Sequence, residues 1–157
     1  MTICSLLLAG LVLPAPLSAE ESDQEELVVS FLSGDSQLNP IVSYTSSEAQ
    51  IYTALYEGLV TYHPLTLEPV PAVAERWEAS RNGRTYTFFL RENARYWNGD
   101  EVLAEHFRDT WLKIIDPKTE AAYNFLFDVI DGAREYRTGE TSDADSVGIR
   151  AVSYHVL

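Results

Sequence analysis

The sequence of 157 residues carries little positive charge. Its 11 Lys and Arg stand against 24 Asp and Glu, and the formal net charge is −13. Nucleic acid and anionic membrane surfaces repel so acidic a chain, so neither is expected as a partner. The single cysteine, Cys4, excludes a disulfide within the chain. The three histidines, His63, His106 and His155, lack the short spacings of metal ligands, so no metal site is expected.

Catalytic signatures are also missing. The sequence contains no Ser/His/Asp, Cys/His or phosphate-loop motif, so we expect neither an enzyme nor a cofactor. Hydrophobic residues make up 46% of the chain and charged residues 22%, which is the composition of a globular protein and not of a disordered acidic tail. The length predicts about one domain and does not establish that the domain is complete.

The N-terminus has the pattern of a secretory signal. An apolar run at 3–17 contains two prolines near its end, and the small residues Ser18 and Ala19 precede an abrupt acidic switch. The run is shorter than the roughly 20 residues that span a bilayer. We therefore predict a signal peptide at 1–19 and export from the cytoplasm. It lacks the usual leading Lys or Arg, and Cys4 stands at its beginning and not at its end, where a lipid-anchored precursor would have it.

The first half of the remaining chain predicts a strand, a helix and a connection. A β-prone run at 27–32 predicts a buried strand. Thr45 followed by Glu48 forms a capping-box pattern, and apolar residues at every fourth position predict a helix over 46–57, which Gly58 would end as a left-handed cap. Prolines between 60 and 75 predict an extended connection.

The middle of the chain predicts a hairpin and a helix. Asn82-Gly83 suits a tight turn between strands, and the second strand places Tyr86, Phe88 and Leu90 on one face. A helix follows Asn98-Gly99 and ends at Asp116-Pro117. Its apolar stripe consists of Leu103, Phe107, Trp111 and Ile114.

The last part predicts one more helix and two strands. The helical face ends near Asp131-Gly132 and is followed by a polar loop at 141–146. Its apolar positions are Tyr123, Leu126, Phe127 and Ile130. Runs at 148–152 and 154–157 predict strands of a hairpin whose second strand is unfinished and free.

Several blocks occur in an order typical of one protein family. They are 55–60 (Leu-Tyr-Glu-Gly-Leu-Val), 71–78 (Pro-Ala-Val-Ala-Glu-Arg-Trp-Glu), 86–100, 104–107, Asp116-Pro117 and 130–136. In these blocks the chain resembles the oligopeptide/dipeptide solute-binding proteins of bacterial ABC importers, solute-binding family 5. The resemblance extends from about residue 27 to the end.

The resemblance implies a fold and a function. The fold class is α/β, the N-terminal part of a two-lobed periplasmic-binding-protein (type II) fold that is incomplete in this length. Residues 20–58 would begin the first lobe and 59–157 would form most of its small insert domain. The implied function is capture of oligopeptides or dipeptides for uptake by a truncated, extracytoplasmic or periplasmic protein, with the membrane permease subunits of an ABC importer as partners and with no cofactor.

The resemblance also implies ligand contacts. The loop before the first helix and a tyrosine after the Asp-Pro motif face the peptide in the family, and they correspond here to Tyr44, Thr45, Ser46 and Tyr123. A binder of varied peptides can grip the shared main chain, and tyrosine offers a hydroxyl and a flat apolar face. The alternatives are helix capping for 44–46 and ordinary packing for Tyr123.

Three residues depart from the family pattern. Glu101, Leu103 and His106 stand where Pro, Thr and Asp are usual. Leucine has no side-chain acceptor and cannot cap the helix, so Asp100 is the expected substitute as a shifted cap.

Two other functions stay open. The chain would also suit a secreted, non-enzymatic interaction module. A fragment of a glycoside hydrolase is the enzymatic alternative, because Trp97 lies beside the carboxylates Asp100 and Glu101.

Overall fold

The computed structural model describes Ser30, residues 38–42 and residues 45–157. All of these except Ser30 belong to one compact unit, Phe31–Leu157. The predicted signal peptide at 1–19 lies outside the described residues, as does the predicted strand at 27–32 apart from Ser30. Among the helices that are described, none is long and apolar enough to cross a membrane.

The first helix, α1, spans Ser46–Leu55, and its predicted capping box is confirmed. The Glu48 N–H donates to Thr45 Oγ1 at 3.2 Å, and the Thr45 N–H donates to Glu48 Oε2 at 2.8 Å. The helix ends two residues earlier than predicted because Tyr56 already adopts extended backbone, at φ −122°. The left-handed cap at Gly58 is therefore wrong, since Gly58 has no positive φ.

The predicted extended connection at 60–75 instead contains a small hairpin. Strands β1 (Val60–Tyr62) and β2 (Pro69–Pro71) pair antiparallel. The His63 N–H donates to the Glu68 carbonyl at 2.9 Å, which sets the alternation of the ladder. Both prolines of β2 consequently occupy non-hydrogen-bonded positions, where their missing N–H is not needed.

The second pair of strands confirms the predicted Asn-Gly turn. Strands β3 (Ala74–Ala79) and β4 (Tyr86–Leu90) pair antiparallel around a turn in which Gly83 has φ +67°. On the predicted face, Leu90 is buried and Phe88 packs against the core, whereas Tyr86 is exposed.

The end of the chain adds to the free edge of β4, contrary to the predicted free strand. The Phe88 N–H donates to the Leu157 carbonyl at 2.9 Å, and the Leu157 N–H donates back to Phe88 at 3.1 Å. Leu157 is buried. The predicted hairpin of 148–152 with 154–157 is reduced to a bridge between Ser153 and Val156, because the last residues pair with β4.

Helix α2 spans Ala104–Ile115 and ends before Asp116-Pro117, as predicted. The shifted cap at Asp100 is wrong, because Leu103 is the N-cap residue and its side chain makes no capping bond. Its N–H instead donates to Nδ1 of His106 at 3.2 Å. His106, which departs from the family pattern, thus serves as the acceptor in the first turn.

The predicted helix around 123–130 is a 3-10 helix, Asn124–Val129, called here the 3-10 segment. It is followed by α3, Ala133–Arg137, which begins after Gly132 in left-handed backbone at φ +71°. A second 3-10 helix, Ala144–Ser146, lies in the predicted polar loop.

One hydrophobic core joins β3, β4, α2, α3 and the end of the chain. Helix α2 contributes the fully buried Ile115, and Leu90 comes from the sheet. The remaining buried members are Leu59, Val73, Ala74, Ala94, Val102, Ala104, Ala133, Val147, Ile149 and Leu157. The described unit is therefore an α/β assembly in which the 3-10 segment packs against α2 and α3 at the edge of the core.

Candidate ligand-binding site

Two of the three predicted ligand residues of the N-terminal loop, Thr45 and Ser46, lie where α1 begins. Tyr44 lies outside the described residues. Thr45 and Ser46 are both exposed, and Ser46 is the first residue of the helix. Helix capping, the alternative interpretation for this loop, is confirmed for Thr45 by its two bonds with Glu48. Contact of Thr45 and Ser46 with a ligand stays a prediction.

Tyr123 lies directly before the 3-10 segment, at the surface of the unit. Its side chain is 47% exposed, so it is not one of the residues that fill the interior. Tyr123 therefore belongs to the surface beside the 3-10 segment, whereas Thr45 and Ser46 lie at the start of α1.

The sequence analysis missed Phe125 as a neighbour of Tyr123. The two ring centroids are 6.1 Å apart, the rings are tilted by 46°, and Phe125 is 52% exposed. No spacing in the sequence identifies Phe125, because its exposure depends on how the 3-10 segment packs.

The 3-10 segment is fixed from behind by a ring contact and an ion pair. The centroids of Phe127 and Trp111 are 6.0 Å apart. Arg137 of α3 donates two hydrogen bonds of 2.7 Å to the carboxylate of Asp128. These bonds lower the pKa of Asp128 and raise that of Arg137, because each favours the charged form of its partner. The backbone beside the exposed rings of Tyr123 and Phe125 is therefore held by contacts to α2 and α3.

Two shallow concavities lie elsewhere on the unit. One, of about 460 Å³, lies where α1 leads into the first hairpin and is bordered by Thr53, Tyr56 and Ala72. The other, of about 300 Å³, is lined by Glu105 and Arg108 of α2 and by the segment near Tyr154. Neither is lined by Thr45, Ser46 or Tyr123.

The residues of the glycoside hydrolase alternative are all exposed. The Trp97 side chain is 99% exposed, and Asp100 accepts a hydrogen bond of 2.7 Å from Asn98. Glu101 pairs with His155 at 3.0 Å. Neither concavity is lined by these residues. Within the described ranges, no group of three or more His, Cys, Asp and Glu could hold a metal ion.

Known proteins with the same blocks bear out the resemblance. The family model of bacterial extracellular solute-binding proteins, family 5 (Middle), matches residues 68–157. The dipeptide-binding protein DppE of Bacillus subtilis is 35% identical over 127 residues, which are 81% of this chain and 23% of that protein. The periplasmic murein peptide-binding protein MppA of Escherichia coli is 31% identical over 163 residues, covering 100% of this chain and 30% of that protein.

Solved structures give the same result for the fold. The E. coli murein tripeptide-binding protein MppA superposes with a TM-score of 0.71 at 33% identity, over 76% of this chain and 23% of that one. Haemophilus influenzae OppA in complex with the peptide RPPGFSPFR gives a TM-score of 0.71 at 29% identity, with the same coverage. The chain thus spans less than a third of the length of these relatives. It belongs to the bacterial extracellular solute-binding proteins of family 5 and is a partial fragment of their α/β periplasmic-binding fold.

Proposed function

We propose that this chain forms the beginning of an extracytoplasmic peptide-binding protein that captures oligopeptides or dipeptides for an ABC importer. The observation that carries the proposal is the exposure of Tyr123. In a member of this family, the tyrosine that follows Asp116-Pro117 is half exposed directly before an anchored 3-10 segment, where a purely packing role would have buried it. The names of the relatives, which are dipeptide-, oligopeptide- and murein peptide-binding proteins, support the same ligand class.

The chemistry of the proposed contacts suits a ligand with varied side chains. A tyrosine hydroxyl can bond to peptide main-chain groups, and the ring covers apolar surface with little loss of conformational entropy. Tyr44, Thr45 and Ser46 would approach the same ligand from the start of α1. Such binding needs no catalytic residue and no cofactor.

The proposal extends to the organisation of the whole protein. Residues 1–19 would direct export, 20–58 would begin the first lobe and 59–157 would form most of its insert domain. The permease subunits of the importer would receive the ligand from the complete protein. This assignment agrees with the acidic composition, which disfavours nucleic acid as a partner.

The proposal is tested in a chimera. Residues 38–157 replace the matching segment of E. coli MppA, and calorimetry measures the affinity for a mixture of short peptides. We expect binding by the chimera and a roughly tenfold or greater loss in Tyr123→Ala, because truncating an aromatic anchor removes contacts at the centre of an interface. Tyr86→Ala is the matched control, since Tyr86 is 55% exposed on β4.

Equal affinities for the parent chimera and Tyr123→Ala would remove Tyr123 from the site. A chimera that melts cooperatively but binds no peptide would contradict peptide capture by this chain. Thr45→Ser and Thr45→Ala separate capping from ligand contact, because serine preserves the cap. A loss of affinity in both variants, with an unchanged melting temperature in the serine variant, supports ligand contact by Thr45.

A further inference from the structure

The outward side of the 3-10 segment is unusually apolar for a surface. Leu126 and Val129 are three residues apart in the 3-10 helix, an interval at which side chains eclipse, and the half-exposed Tyr123 directly precedes the helix. Leu126 is 60% exposed and Val129 is 90% exposed. Contiguous exposed apolar side chains commonly mark a binding surface.

Phe125 extends this surface beside Tyr123. The two ring centroids are 6.1 Å apart at a tilt of 46°, and both residues are about half exposed. Two tilted rings at this distance can receive a third ring or an aliphatic side chain in an offset or edge-on arrangement.

The backbone beneath the two rings is already ordered. The Asp128 and Arg137 ion pair joins the segment to α3, and Phe127 contacts Trp111 of α2. A ligand side chain that packs on the rings would therefore not have to order the segment first, which reduces the entropy lost on binding.

We propose that Phe125 is a specificity-determining residue, and that it favours peptides with an aromatic or large apolar side chain beside the main chain that Tyr123 contacts. This inference rests on the proposed function. A peptide side chain with a ring gains contact area with Phe125, whereas alanine or glycine is too small to reach it. An acidic side chain gains no ring contact and is repelled by a chain with a net charge of −13.

The test is a nuclear magnetic resonance titration of the 157-residue chain. Trialanine and a tripeptide with a central phenylalanine are added up to roughly 10 mM, which detects affinities near the millimolar range. We expect the phenylalanine peptide to shift resonances of Tyr123 and Phe125 and to bind about 2- to 10-fold more tightly than trialanine.

Two variants distinguish the effect of the aromatic ring of Phe125 from the effect of its size. Phe125→Ala should bring the ratio of the two affinities close to one, and Phe125→Leu should recover part of it. Tyr86→Ala should leave the ratio unchanged. Because Phe125 is exposed, the spectrum of each variant away from the 3-10 segment should overlay that of the parent chain.

The outcomes distinguish this inference from the proposed function. If both peptides shift Thr45, Ser46 and Tyr123 with equal affinity, peptide binding stands and the role of Phe125 is refuted. An unchanged ratio in Phe125→Ala refutes it equally. If neither peptide shifts any of these residues, the result counts against peptide binding by this chain and the inference falls with it.

Discussion

Helix α2 and the 3-10 segment have similar apolar patterns in the sequence but differ in how many of their apolar side chains are buried. In α2, Phe107 and Trp111 pack against the core and Ile115 is fully buried. In the 3-10 segment and the residue after it, Phe127 and Ile130 pack inward, whereas Leu126 is largely exposed. Helix α2 buries its apolar face, whereas the 3-10 segment exposes part of its own.

The difference arises from the turn of the backbone. The 3-10 helix covers Asn124–Val129 and advances about 120° per residue, so Leu126 and Val129 lie on one side of it and Phe127 lies on the next. Phe127 packs against the core, whereas Leu126 and Val129 are exposed. An apolar spacing therefore predicts a buried face only after the type of helix is known.

The comparison is tested most strongly by truncating one residue from each element. Ile115→Ala should lower the free energy of unfolding by about 2–5 kcal/mol, because it leaves a cavity among residues that are fully buried. Leu126→Ala should change it by no more than about 0.5 kcal/mol, as expected for an exposed side chain. Urea denaturation measures both values. Similar losses in the two variants would show that the 3-10 segment buries Leu126 in solution.

A second test concerns the glycine that separates the 3-10 segment from α3. A Cβ at Gly132 would lie 2.4 Å from the carbonyl oxygen of Ser146, and the residue has φ +71°. Gly132→Ala should therefore cost more than about 2 kcal/mol, since backbone strain and a clash with fixed backbone add.

Gly139→Ala is the matched control. Gly139 has φ +78° but nothing within 4 Å of a Cβ, so only the strain of about 1–2 kcal/mol applies. Thermal and urea unfolding of both variants measure the difference. Equal losses would mean that the chain after Ser146 does not pack against Gly132 as described.

The smallest effect is expected at the ion pair that fixes the 3-10 segment to α3. The bonds from Arg137 lower the pKa of Asp128 below its ordinary value of 3.8. The pair therefore stabilises the fold fully above about pH 4, and this contribution is lost as the pH falls through the lowered pKa. Asp128→Asn should be less stable than the parent at neutral pH, and the difference should shrink toward about pH 2.

The measurement is the free energy of unfolding in urea across this range of pH. Asp109→Asn is the control, because Asp109 pairs with the adjacent, exposed Arg108 at 2.7 Å and not with another helix. A constant difference between Asp128→Asn and the parent at every pH would contradict the assigned role of the pair.

Local signals predicted the elements that local bonds define. Thr45 and Glu48 fixed the start of α1, Asn82-Gly83 fixed the turn between β3 and β4, and Asp116-Pro117 ended α2. Each depends on residues within a few positions of one another, so the sequence holds the necessary information. The exposed Tyr123 was identified through the family blocks and not through its own surroundings.

The predictions were wrong where the backbone hydrogen-bonds to residues that are distant in the sequence. The last residues were predicted to be a free strand, but the edge of β4 offers partners for Leu157 that lie about 70 residues earlier in the chain. Gly58 was predicted to end α1, but its carbonyl accepts from the Val73 N–H at 3.0 Å in an extended segment. Phe125 was missed because its exposure depends on how the 3-10 segment packs.

The sequence by itself determined the family, the acidic surface and the local caps and turns, because ordered blocks, charge and short-range hydrogen bonds are all encoded by near neighbours. Only the tertiary structure decided which apolar side chains face outward. That choice depends on whether the chain at 124–129 winds as an α-helix or a 3-10 helix. Trp111 and Arg137, which come from two other helices, contact Phe127 and Asp128 of this segment, so residues distant in the chain fix which of its sides faces the core.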